Sequence, residues 1–131
     1  MRTGISALAH VKKQLLNSME FKQITNGRIY FVAATMGAQR PYVTATRTAI
    51  VSEYSKDGWD NDRVIVAIEV VANDYDTVVR LAELVRETLE GHSVSYEGWE
   101  VCECELTRAV DGYSPEVDAF VISLEFTLQV R

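Results

Sequence analysis

Apolar residues recur at three- and four-residue steps in one stretch of the chain and at alternate positions in several others, so a division into helix and strand comes first. The clearest helical stretch runs from Asn73 to Gly91. Val78, Leu81, Ala82, Val85 and Leu89 form a single stripe there, and Arg80, Glu83, Arg86, Glu87 and Glu90 turn the other way. Asp74 is placed to cap the first turn, and Gly91 supplies the left-handed residue that ends the last. A second, less regular stripe of Ile5, Leu8, Ala9, Leu15, Leu16 and Met19 predicts one helix from Ile5 to Met19.

The strands read from a period of two. Asn26-Gly27 precedes a short run, Ile29 to Val32, and a loop from Ala33 to Arg40 leads to Pro41. Tyr42–Val51 and Arg63–Val71 are rich in β-branched residues and predict two strands joined as a hairpin with a long arm or tip. In the second, Val64, Val66, Ile68 and Val70 share one face, and Ile65, Ala67, Glu69 and Val71 the other. His92 to Gly98 reads as a connection and Trp99 to Val110 as a further strand, with Cys102, Cys104 and Leu106 inward and Glu103, Glu105 and Thr107 outward. Asp111 to Pro115 reads as a turn. The last strand alternates without interruption: Phe120, Ile122, Leu124, Phe126, Leu128 and Val130 on one side, polar or smaller residues on the other. A one-residue slip would expose all six, and at about 1.5–3 kcal/mol each that exceeds the stability of a typical domain. The expectation is an α+β fold in one domain spanning residues 1–131. It has an antiparallel β-sheet of four to five strands, two helices against one side, and the order α-β-β-β-α-β-β.

Composition narrows the function classes. A chain of 131 residues with 47% hydrophobic and 24% charged residues and only two prolines is expected to fold throughout. Its net charge of −6 argues against gripping nucleic acid, which calls for clustered lysine and arginine. No segment has the roughly 20 apolar residues needed to cross a bilayer, and the N-terminus lacks the apolar core of a signal peptide. Cys102 and Cys104, two apart on a strand, are expected to point the same way unbonded, which suits a reducing cytoplasm.

Candidate chemistry is sparse. Two cysteines with His10 and His92 distant in sequence do not make a zinc set, and Glu103 with Glu105 read as a solvated strand face rather than an acid–base pair. Asp57, Asp60, Asn61 and Asp62 miss the spacing of a calcium loop and read as a solvated turn. No glycine-rich phosphate loop, nucleophile elbow or HExxH is present. The expectation is no catalytic residue, no metal and no cofactor. Surface suited to protein contact remains: Tyr54 and Trp59 in the polar stretch between the hairpin strands, and Arg40 in the preceding loop. For Trp59 the alternative is that it folds back to cover the sheet edge.

Several segments, in one order, carry a resemblance. They are Asn26-Gly27-Arg28-Ile29-Tyr30, Pro41-Tyr42-Val43, Asp62-Arg63-Val64-Ile65-Val66, the helix from Asp74-Tyr75 to Leu89-Glu90-Gly91, then Tyr113, Pro115 and Phe120 through Phe126. Over about residues 24–131 the chain resembles the tail-completion, or tail-to-head joining, proteins of long-tailed bacteriophages and prophages. It departs from them at Val70-Val71, where an aromatic is common, and its N-terminal helix matches only in character.

The resemblance implies a non-catalytic virion protein that assembles with itself as a ring, six copies being the expectation, between tail-tube and head-connector proteins. It implies assembly in the host cytoplasm and residence in the virion neck, with no membrane partner. DNA passes through such a ring without specific binding, and some of Glu69, Glu103, Glu105 and Glu125 are then expected to line the channel. The rival readings are a small ferredoxin-like enzyme or ligand-binding domain, and a cellular adaptor that binds by strand addition.

Overall fold

A computed structural model of the chain describes residues 2–131. Helices α1 (Ala7–Leu16) and α2 (Met19–Thr25) lead to strands β1 (Ile29–Phe31), β2 (Tyr42–Ser55) and β3 (Gly58–Ala72). Helix α3 (Tyr75–Leu89) follows, then β4 (Val94–Tyr96), β5 (Trp99–Ser114) and β6 (Ala119–Val130). The six strands form one sheet in the order β1-β2-β3-β6-β5-β4, antiparallel except for β1 on β2.

The class is the expected α+β, but the count and order differ from four to five strands and two helices. The first helix is two. Ser18 takes an extended ψ of 116° and its hydroxyl accepts the Phe21 N–H, capping a new helix that swings Phe21 into the core. Ala7, Val11 and Leu15 are the buried row of α1, whereas Ile5 and Met19 are exposed. The connection from His92 to Gly98 contains β4, which turns tightly back onto β5. The Asp111–Pro115 turn is displaced: β5 runs to Ser114. Between β2 and β3 the polar stretch is strand as far as Ser55 and from Gly58, leaving a two-residue turn at the tip of a long hairpin arm.

One layer of helices covers one face of the sheet. Asp74 caps α3, accepting the Thr77 N–H at 2.8 Å. All five residues of its predicted stripe are buried, packed with Val64, Val66, Ile68 and Val70 of β3 and the even-numbered row of β6. The register bears the alternation out, with Val66 opposite Phe126 and Ile68 opposite Leu124. Strand β5 is less regular. Bulges follow Cys102 and Leu106, and Glu103 takes the left-handed region at φ 52°. The extra residue breaks the expected alternation: Cys102 lies opposite Gln129, while Cys104 joins the core beneath the helices, so the two thiols occupy opposite faces. Burial pushes the Cys104 thiol up to about 12 and also raises Cys102, so both are poor nucleophiles.

Phe126 is 1% exposed at the centre of this layer, opposite Val66 and Leu106. Phe126→Ala is expected to cost about 3–5 kcal/mol, read as a lowered urea midpoint with an unchanged m-value.

Candidate functional site

The helix-free face of the sheet is built by the residues opposite those of the core row. In register across it lie Thr44 and Thr46 of β2, Ile65, Ala67 and Glu69 of β3, Ser123, Glu125 and Thr127 of β6, and Glu105, Arg108 and Val110 of β5. Three of the four carboxylates expected to share a surface do so. Glu69 stands opposite Ser123, Glu105 opposite Thr127, and Glu125 opposite Ala67 and Arg108. Glu103 is set apart by its bulge, exposed but outside the paired register. Glu53 and Arg63 complete the face and pair at 3.3 Å. Four carboxylates against two guanidinium groups leave it acidic.

Asp62 anchors the hairpin arm. Only 3% exposed, its carboxylate accepts the Gly4 N–H at 2.7 Å, the Trp59 Nε1–H at 2.8 Å and the Ser52 hydroxyl. A Cβ on Gly4 would lie 2.7 Å from Val64 Cγ2, so glycine is what lets the N-terminal turn come this close. Burial alone would raise the Asp62 carboxyl, but the donors from Ser52, Trp59 and Gly4 together outweigh it and hold it below the ordinary carboxylate value. Trp59 is thus half-buried and fixed, while Tyr54, opposite it at the end of β2, is 72% exposed. Sequence reasoning placed Asp62 in a solvated turn. Its partner Gly4 is 58 residues away, and no local signal marks it.

Arg40 reaches across to the β5–β6 turn, donating from Nη1 to the Val117 carbonyl at 2.8 Å and the Asp118 carbonyl at 3.4 Å. It closes an open cleft of about 350 Å³ whose rim carries the fully exposed Met36. A further cluster escaped the sequence reading: Tyr96 of β4 stacks on Trp99, with ring centres 4.6 Å apart, and its hydroxyl meets His10 Nδ1 at 2.7 Å. Arg2 lies over Trp99 and Lys13 over Tyr96. Burial drives His10 down to about 4, so it is neutral at pH 7. Among the described residues no three histidine, cysteine or carboxylate side chains gather as a metal site.

A family model described as tail completion protein gp17 matches residues 9–131. The chain belongs to that family. The chain accordingly has a structural role in a virion, and the match takes in most of the first helix, beyond the span where the sequence resemblance began. Among solved structures, a chain from the virion of a native gene transfer agent particle superposes with a TM-score of 0.77 at 19% identity, over 92% of this chain and 90% of that one. That likeness is one of fold. No curated protein sequence matches the chain. No described helix of the chain is long and apolar enough to cross a membrane.

Two tests follow from the buried polar groups. Asp62→Ala strands the Gly4 and Trp59 donors, and is expected to cost on the order of 3 kcal/mol with a shift in tryptophan emission. His10 refuses, in the fold, a proton that the unfolded chain accepts between pH 6.5 and about 4. Its contribution is therefore full above pH 6.5 and falls by roughly 3 kcal/mol as pH drops across that window. Denaturation of His10→Gln at a series of pH values is expected to show that slope removed.

Proposed function

We propose that this tail completion protein closes the phage tail as a ring, six copies around the axis, seated between tail-tube and head-connector proteins and joining tail to head. Family membership and the likeness of fold to a virion chain support the reading. The observation that carries it is the one-sided layering of the sheet. Helices cover one face, and the other, four long strands wide, is uncovered and acidic, with Glu69, Glu105 and Glu125 in register across it. A face of that kind lining a channel repels the phosphate backbone at short range and lets a duplex slide without sticking. Glu103, exposed on its bulge, belongs at the margin of the same lining. Assembly takes place in the host cytoplasm, and the ring remains in the virion neck.

Neighbouring subunits and neck proteins meet the surfaces around Arg40, Tyr54 and Trp59. Arg40 works here by holding the Ala33–Arg40 loop against the β5–β6 turn, and Trp59 by fixing the hairpin arm that presents Tyr54.

Imaging of purified necks by electron microscopy tests the reading: a six-fold collar with the helix-free face inward is expected. A collar with Glu69, Glu105 and Glu125 on its outer wall would sink the channel assignment. In a complementation assay, Arg40→Ala and Tyr54→Ala are each expected to lower the yield of joined particles at least tenfold while the purified protein stays folded. Unchanged yield from both would remove these surfaces from assembly.

A further inference from the structure

The sheet ends unevenly at both sides. Strand β1 covers β2 only at Val43–Ala45, and β4 covers β5 only at Trp99–Val101. On β5 the connection after α3 extends the cover a little: the Cys104 carbonyl accepts the Gly91 N–H at 2.8 Å, and the Glu90 carboxylate accepts the Leu106 N–H. On β2 the cover ends where the Ala45 carbonyl accepts the Val32 N–H at 2.9 Å. Past these points, among the described residues, nothing pairs with the outer edge of Arg47–Ser55 on one side or of Arg108–Ser114 on the other. Open strand edges of this length invite pairing with another chain, and isolated proteins ordinarily blunt them. Here they carry exposed large side chains instead: Val51 and Tyr54 on β2, Val110 and Tyr113 on β5.

We propose that copies of this chain join head to tail by antiparallel pairing of the free stretch of β5 in one copy with the free stretch of β2 in the next, so that one sheet continues from subunit to subunit. The occupant of each edge is a second copy, because the two edges fit each other. Strand β2 is antiparallel to β3, β3 to β6, and β6 to β5, so β5 runs opposite to β2. A neighbour set in the same orientation therefore presents β2 antiparallel to β5, and the alternation of the sheet continues without turning any subunit over. Such a contact uses two different surfaces, which is the kind that closes into rings.

The offset of the edges fits closure too. Free β5 lies level with the Tyr42 end of β2, and free β2 lies at the hairpin end, so each copy must be shifted along the strands relative to the last. A shift of about four residue levels over four strands, at roughly 3.3 Å per residue and 4.8 Å per strand, tilts the strands by about 35°, at the lower end of the range of closed barrels. The bulge at Thr48 matters here. It adds one residue to β2 between Thr44, which is level with Val110, and Ala49, so that a shift of four levels, five residues of β2, brings Val110 against Ala49 on the helix-free face.

The pairing rests on the ring reading above, and cross-linking separates the two. The full-length double variant carrying Val110→Cys with either Ala49→Cys or Val51→Cys, assembled and mildly oxidised, is expected to give a ladder of linked species up to the ring number. Mixed single variants are expected to give dimers at least tenfold above either variant alone, with wild type as the background for its two buried cysteines. Rings visible by electron microscopy in which neither pair links would overturn the pairing and leave the ring standing. Dimers from one single variant alone would also overturn it, since they mean like edges meeting. Failure to form any ring, even on purified tails, would remove both.

Discussion

The fold depends on one constraint: α3 has a single apolar stripe, and only the inward rows of β3 and β6 are broad and regular enough to bury it. Because side chains on a strand alternate, that burial fixes the register of the central pair and with it the identity of the opposite face. Glu69 and Glu125 are turned outward as a consequence of Ile68 and Leu124 being turned in. The acidic, helix-free face therefore follows from packing: satisfying α3 on one side leaves a sheet uncovered on the other.

This is also why the central elements were legible in the sequence and the margins were not. The stripe of α3 and the unbroken alternation of β6 each admit one reading. The first helix admitted a wrong one, because Ile5 and Met19 fall in step with Leu8, Leu15 and Leu16; the cap at Ser18 sends the chain into a second helix and leaves both in solvent. Strand β4 has only three residues and no alternation to show, and it exists because Trp99 and Tyr96 stack across a tight turn. At Glu103 the pattern Cys-Glu-Cys-Glu mimics regular alternation, so the bulge that separates the thiols has no signature in composition.

The acidic residues divide in the same way. Those on β3 and β6 were placed correctly because their neighbours' burial determines them. Asp62 was not, because nothing within its own hairpin calls for burying a carboxylate; the requirement comes from the Gly4 N–H, which the N-terminal turn leaves without a helical partner. Arg40 was singled out as an exposed anchor, yet its guanidinium is occupied by two carbonyls of the β5–β6 turn. A loop arginine is legible as a residue that will find an acceptor, and the identity of the acceptor belongs to tertiary structure.

These polar ties act at the two ends of the sheet from which the open edges project. The hairpin arm is mostly exposed, and Asp62 ties it to the N-terminal turn at Gly4 and, toward the tip, to the indole of Trp59. At the other corner Arg40 binds the loop before β2 to the end of the β5–β6 hairpin. Each tie thus stiffens the end of the sheet from which a free edge projects. An edge held in extended geometry before it meets a partner loses less conformational entropy on pairing than a flexible one would. The buried carboxylate and the loop arginine, which look like isolated stability features taken singly, together hold both ends of the sheet in place.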